Sequence, residues 1–250
     1  MSFKSWRSYM RFSYAVKNKS RYMLDSESQK FLEAIKDTCQ SRLIFIPAGT
    51  EMWRAQAGHD DKAYYQDEIY IDDFPVPYSE SRMKPLSNSA SEGRANPKGI
   101  PCLYLASTKE TAMSEVRPWL GSIVSVARFS SLRELRIIDF SKHHGDGTRF
   151  YIQEPSDAEK TEAVWRDMDN AFSEPVTHSD TKSDYAPTQV IAELIKSLNY
   201  DGIAFKSSLS EGYNFALFDL NCAGFEFCEL HETKEIKFSF GNVSTPFNQF

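Results

Sequence analysis

The stretch from Arg82 to Trp119 gathers side chains able to do chemistry. Gly93-Arg94-Ala95-Asn96-Pro97-Lys98-Gly99 leads into Ile100-Pro101-Cys102-Leu103-Tyr104-Leu105-Ala106, and Thr111-Ala112-Met113-Ser114-Glu115-Val116-Arg117 follows. This reads as an arginine in a glycine-bounded loop, a tyrosine on a strand and a glutamate on the next helix. Such a set offers a guanidinium fork, a flat ring and a carboxylate. Farther on come Tyr200-Asp201-Gly202-Ile203-Ala204-Phe205-Lys206-Ser207-Ser208 and Gly212-Tyr213-Asn214. Other chemistries lack their residues. His143 and His144 are adjacent, and neighbours on a regular element face different ways. His59, His178 and His231 have no partner at ligand spacing and no HExxH is present, so no metal is expected. There is no GxxxxGK[ST] or GxGxxG phosphate loop and no GxSxG nucleophile elbow. Cys39, Cys102, Cys222 and Cys228 match neither a disulfide framework nor a paired CxxC zinc pattern. They read as reduced thiols of a cytosolic protein.

The elements that must hold these residues follow from local signals. Ser26-Glu27-Ser28-Gln29 is a capping-box pattern, and Phe31, Leu32 and Ile35 at helical spacing predict a helix over 27–39. Leu43 to Ile46 and Glu51 to Gln56 predict strands, the second carrying Arg54. Residues 57–98 hold many Pro, Gly, Ser, Asn and Asp and read as mostly loop. A strand is expected at Cys102–Ala106, then a helix capped by Ser107 and Glu110 and stopped by Pro118. Strands at Ile123–Phe129 and Leu135–Phe140 precede a polar loop and a helix capped by Ser156 and Glu159. Pro187 opens a helix with Val190, Ile191, Leu194, Ile195 and Leu198 along one stripe. Strands at Ile203–Phe205 and Phe215–Leu220 follow, and residues 223–240 have room for two more. The mixed order argues for an α+β fold.

Composition sets the outer bounds. The chain has 250 residues, 41% of them hydrophobic, and a net charge of −6. That suits a globular protein able to bury its own core. No apolar run is long enough for a membrane span, and Met1 to Met10 has no secretory h-region. The charge is uneven: residues 1–50 carry nine Lys/Arg against four Asp/Glu, and the rest carry 20 against 31. Basic and aromatic residues alternate through 1–24, including Trp6, Arg7, Arg11, Phe12, Lys17 and Tyr22. Such interleaving can bind single-stranded nucleic acid. The favoured reading is an arm that packs its aromatics on the body, with direct nucleic-acid binding not expected.

The residues quoted above resemble the RES-domain family, named for an Arg, a Glu and a Ser. Arg54 matches the arginine ending an early strand. The G-R-x-N-P-x-G-x-P-x-L-Y-L-A-like stretch supplies Arg94 and Tyr104, the following helix supplies Glu115, and the D-G-I-x-x-x-S run before Gly-x-Asn supplies Ser207. The resemblance covers roughly residues 42–220 and implies an ADP-ribosyltransferase-like mixed, split β-sheet core. It implies an NAD-consuming enzyme, a glycohydrolase or phosphorylase, acting as a bacterial toxin or defence protein beside an Xre-type antitoxin. Transfer of ADP-ribose to a macromolecule and non-catalytic NAD binding stay open. Inorganic phosphate is a possible co-substrate, and no cofactor beyond NAD is implied.

The roles follow from the chemistry of that bond. Cleaving the nicotinamide–ribose link develops an oxocarbenium-like cation, which Glu115 is suited to stabilise. Arg54 and Arg94 suit the pyrophosphate, and Tyr104 suits a flat wall for nicotinamide and ribose. Ser207 is placed to bond the ribose or to orient Glu115. Arg82 is a weaker substrate-loop candidate. Each residue also has an ordinary reading: Arg94 or Glu115 in ion pairs, Tyr104 in the core, Ser207 in a turn. The expected organisation is a basic arm and helix over 1–40 and a RES-like domain over 41–250, in a cytoplasmic protein, with homo-oligomerisation open.

Overall fold

The structure, a computed structural model, describes residues 2–86, 90–142, 144, 151, 153–174, 182–237, 239 and 241. His143 and His178 lie outside the described residues. Among those described, six α-helices and ten strands run in the order α1 (Ser8–Asn18), α2 (Ser26–Thr38), β1 (Leu43–Ile46), β2 (Glu51–Ala57), β3 (Asp60–Gln66), β4 (Ile69–Val76), α3 (Glu80–Met83), β5 (Leu103–Ala106), α4 (Lys109–Glu115), β6 (Ile123–Ser131), β7 (Leu135–Asp139), α5 (Asp157–Ser173), α6 (Ala186–Ser197), β8 (Gly202–Lys206), β9 (Tyr213–Leu217) and β10 (Ala223–Glu232). The fold is α+β. Among the described residues, no helix is long and apolar enough to cross a membrane.

Eight strands form one mixed sheet in the order β1-β7-β8-β9-β5-β2-β6-β10. The β7–β8 pair is parallel, and the others are antiparallel. The sheet is nearly split in the middle. Between β5 and β2 the ladder shrinks to the single pair Trp53–Ala106, whereas β2 and β6 stay in register from Glu51–Ser130 to Ala57–Val124.

Alternation on the central strands sends side chains into two apolar clusters, one per face. Ile138 of β7 and Ile203 of β8 join Trp165, Met168 and Phe172 of α5 and Ile191 and Ile195 of α6. The same cluster takes Phe12 and Val16 of α1 and Phe31 and Ile35 of α2, with Phe12 stacked on Phe31 at 4.4 Å between ring centroids. The opposite face packs Met52 of β2 and Phe129 of β6 against Leu103 and Leu105 of β5, Ile137 of β7 and Leu217 of β9. This second cluster spans the weak β5–β2 junction and holds the two halves together.

Several local expectations need correction. Within the 57–98 stretch expected as mostly loop, β3 and β4 form a hairpin with its own two-stranded sheet, and α3 follows. Its turn joins Gln66 to Ile69 through Asp67 and Glu68, both at positive φ (47° and 65°). That is the twist a two-residue hairpin loop needs, but the usual Asn-Gly or Asp-Gly signal is absent. The N-cap of α2 is Asp25, whose carboxylate accepts from the Ser28 amide at 2.8 Å. Thr108 rather than Ser107 caps α4. One long strand, β10, occupies 223–232 in the segment that had room for two. The Ser156–Glu159 capping box forms as read, with both reciprocal bonds present.

Candidate active site

The site opens at the weak junction. β2 carries Arg54 and β5 carries Tyr104, and the Arg54 Nη1 donates to the Tyr104 carbonyl at 3.0 Å. One side-chain bond thus crosses where backbone pairing has almost stopped. α4 leaves the end of β5 and carries Glu115 as its last residue. It stops there because Arg117, the residue before Pro118, takes a left-handed φ of 47°, which ends helical geometry.

The loop before β5 is fixed from inside. Tyr104 Oη accepts from the Ala95 amide at 2.9 Å and donates to Asn96 Oδ1 at 2.8 Å. The Asn96 amide nitrogen donates to the carbonyls of Ser91 (3.0 Å) and Ile100 (2.8 Å). Gln189 of α6 donates to the Gly93 and Asn96 carbonyls at 2.9 and 3.0 Å. Gly93 is required here, since a Cβ would lie 2.6 Å from Tyr104 Oη. Burial pushes the Tyr104 hydroxyl well above the usual phenol range. Its hydroxyl therefore staples the loop, and its ring is what it offers to the cleft.

Arg94 leaves this loop towards α5. It donates to the Ala171 carbonyl at 2.8 Å and to the Glu174 carbonyl, and it lies 5.1 Å from the Tyr185 ring centroid. A cation at a helix C-terminus satisfies carbonyls left without intrahelical partners. Arg94 thus ties the last turn of α5 to the cleft wall.

Glu115 is held by two donors on one oxygen. Ser207 Oγ and Asn214 Nδ2 each donate to Glu115 Oε1 at 2.7 Å. Ser207 follows β8 and Asn214 sits on β9, where the Phe205–Asn214 and Lys206–Tyr213 pairs bring them side by side. Ser207 and Asn214 are buried, whereas Glu115 is solvent-exposed. One carboxylate oxygen is therefore anchored to the sheet, and the other is left for chemistry. Gly212 permits the turn before Asn214: a Cβ there would lie 2.2 Å from Thr111 Oγ1 of α4.

These elements enclose a cleft of about 520 Å³ lined by Arg54, Arg94, Tyr104, Glu115 and Asn214, among others. Phe172, Tyr185 and Phe205 supply apolar and aromatic wall. Arg54 is a desolvated charge in its wall. Its Nε is buried without a hydrogen-bond partner. Burial lowers its pKa, with Tyr104 set against that. A desolvated cation in a cleft wall suits an incoming anion.

Four of the five family-pattern residues share this cleft, and Ser207 stands behind it, touching the carboxylate rather than the open space. Ser208, its competitor by sequence, lines the cleft instead. Arg82 lies on a neighbouring cavity. The residue that sequence reasoning left without a role is Asn214. The Gly-x-Asn after the serine was the available signal, and only the β8–β9 register shows why it matters. The four cysteines are free, and burial pushes the thiols of Cys102 and Cys222 up to about 11, which makes them poor nucleophiles.

No curated protein matches this chain. A solved structure, that of the M.tuberculosis MbcT-MbcA toxin-antitoxin complex, aligns over 78% of this chain and 90% of its own, at 12% identity and a TM-score of 0.43. The model of the RES domain matches residues 73–240, which takes in Arg94, Tyr104, Glu115, Ser207 and Asn214 and leaves Arg54 just ahead of the matched span. With most of its length inside that match, the chain belongs to the RES domain family.

Proposed function

We propose that the protein is an NAD-consuming enzyme that cleaves the nicotinamide–ribose bond, with water or inorganic phosphate as acceptor, and acts as the toxin of a toxin–antitoxin pair. The observation that carries the reading is the double anchoring of Glu115 Oε1 by Ser207 and Asn214. A carboxylate fixed before substrate arrives stabilises a developing positive charge without reorganising at the moment of reaction. The bond from C1′ of the ribose to the nicotinamide ring nitrogen breaks, and its electron pair leaves with neutral nicotinamide. The free edge of Glu115 faces the oxocarbenium-like centre while an acceptor oxygen forms the new bond to C1′. When water is the acceptor, its proton passes to solvent. The leaving group needs no acid, which agrees with a cleft whose described lining contains no histidine. Arg54, desolvated and lining the cleft, takes the pyrophosphate through its guanidinium.

The test is release of free nicotinamide from NAD, followed by NMR with and without phosphate. Wild type is expected to release it, and Glu115→Ala to lose the activity while keeping its circular dichroism. ADP-ribose or its 1-phosphate as product identifies the acceptor. A labelled adduct on protein or nucleic acid instead would move the assignment to ADP-ribosyl transfer. Binding of NAD by a folded protein that never releases nicotinamide would reduce the site to a binding module.

A further inference from the structure

A second cavity, of about 560 Å³, adjoins the cleft. Arg54, Glu92, Gly93 and Tyr104 line both. Beyond this shared wall the annex presents Gln56, Arg82 and Lys84. The charges are distributed unequally. The cleft sets Arg54, Arg94 and Arg117 against Glu92, Glu115 and Glu174, whereas among the described residues the annex sets Arg54, Arg82 and Lys84 against Glu92 in its lining and Glu80, which pairs with Lys84. After residue 50 the chain carries 20 Lys/Arg against 31 Asp/Glu, so this is local positive charge on an acidic body. Such a concavity focuses field and draws anions.

The annex is also built rather than incidental. Gln56 of β2 donates to the Arg82 carbonyl at 2.9 Å, tying α3 to the sheet. The Arg82 guanidinium lies 4.3 Å from the Tyr78 ring centroid, and the Tyr78 amide donates to Ser125 Oγ at 3.1 Å. Lys84 is partly spoken for, at 2.9 Å from Glu80. Arg54 is the cation common to both cavities, and its Nε is a buried donor with no partner.

We propose that the annex holds the adenosine half of the dinucleotide and that Arg82 receives a 2′-phosphate there, so that 2′-phosphorylated NAD is a substrate alongside NAD. This rests on the cleft being the NAD-cleaving site. The ribose that loses nicotinamide must lie beside Glu115, which lines the cleft and not the annex. A pyrophosphate joins the two nucleosides, and Arg54 is the cation that faces both spaces. The second nucleoside therefore passes over Arg54 into the annex. A phosphate monoester adds about −1.5 to −2 charge and three acceptor oxygens. Arg82 lines the annex, and its planar guanidinium matches the oxygens of such a group.

The experiment compares kcat/KM for nicotinamide release from NADP and from NAD, in wild type, Arg82→Ala and Arg82→Glu. Wild type is expected to turn over both. Loss of one charge-assisted contact is worth about 10- to 100-fold. The NADP-to-NAD ratio should fall by that factor in Arg82→Ala, through KM, and further in Arg82→Glu. Wild-type turnover of NAD without NADP, or an unchanged ratio in both variants, overturns the annex assignment and leaves the NAD reading standing. If neither dinucleotide is cleaved, the NAD reading falls, and calorimetric titration with adenosine 2′,5′-bisphosphate decides the annex. Binding that Arg82→Glu abolishes supports it, and no binding by wild type overturns it.

Discussion

The β2–β5 junction and the β3–β4 hairpin come from neighbouring stretches of chain and solve opposite problems. At the junction one residue pair remains, yet Met52 beside it is fully buried. In the hairpin seven residue pairs form, yet the strands are exposed almost throughout, including Tyr64, Tyr65, Tyr70 and Phe74. Backbone pairing and structural hold are thus uncoupled here. The junction is held by apolar packing from Leu103, Leu105 and Phe129 and by the Arg54 bond to the Tyr104 carbonyl. Giving up the ladder there opens the cleft between two halves that the core keeps together. The hairpin is held mainly by its own ladder and by edge-to-face pairs, Tyr64–Phe74 at 5.5 Å and Tyr65–Tyr70 at 5.8 Å. Such pairs add about 0.5–1.5 kcal/mol each beyond the area they bury.

The largest effect should therefore come from the place with least pairing. Met52→Ala removes a side chain packed on all sides and is expected to cost about 2–5 kcal/mol, read as a lower urea midpoint at unchanged m. Tyr70→Ala should leave the midpoint of the body within about 0.5 kcal/mol of wild type, because the Tyr65–Tyr70 pair stabilises the ribbon and not the body. Equal losses would break the comparison, because they would mean that the hairpin is part of the cooperative unit.

The two regions were also unequally legible. Leu43–Ile46 was readable to the residue because Arg42 and Pro47 bracket a short apolar run. The α5 start was readable because Ser156 and Glu159 carry a reciprocal bond whose chemistry is local. Arg94, Tyr104 and Glu115 were readable as a set, since loop, strand and helix follow one another directly. The hairpin was not readable. Pro75 and Pro77 argued for loop, and the Asp67–Glu68 turn pays a left-handed conformation that no glycine or asparagine announces. The use of Asn214 was hidden for a different reason. Its bond to Glu115 spans 99 residues and depends on the β8–β9 register, which hydrophobic pattern alone leaves open. Arg94, a candidate from its loop, does line the cleft, but its bonds to the end of α5 depend on a helix far along the chain.

A smaller effect on energy, but a sharper one on chemistry, is expected on the far side of the cleft. Asn214→Ala leaves Glu115 Oε1 with the Ser207 donor alone. Losing one buried bond to a carboxylate corresponds to about 1.5–3 kcal/mol. Placed on the barrier, that is about 10- to 100-fold in rate. The loss should fall on kcat more than on KM, because the bond orients the carboxylate rather than gripping substrate. Ser207→Ala should behave alike, and the double variant should lose less than the product of the two single losses, since both act on one oxygen. A change confined to KM would place Asn214 against the substrate and not behind Glu115.

The smallest effect is expected from the largest deletion. The hairpin ends pair at Asp60 and Val76, so residues 60–76 can be replaced by a short Gly-Ser linker without stretching the chain. Cβ-bearing neighbours of the cleft are untouched, because no residue of β3 or β4 lines it. Loop length enters stability only logarithmically, so the linker itself costs little. Nicotinamide release by the shortened protein should stay within about twofold, and its urea midpoint should shift by less than about 0.5 kcal/mol in stability. The acidic ribbon, with Asp60, Asp61, Asp67, Glu68, Asp72 and Asp73 around its exposed aromatics, would then be separable from the body that holds the cleft. A marked fall in turnover at unchanged stability would show instead that the hairpin reaches the cleft during the reaction, and the contrast between an anchored junction and an independent ribbon would have to be abandoned.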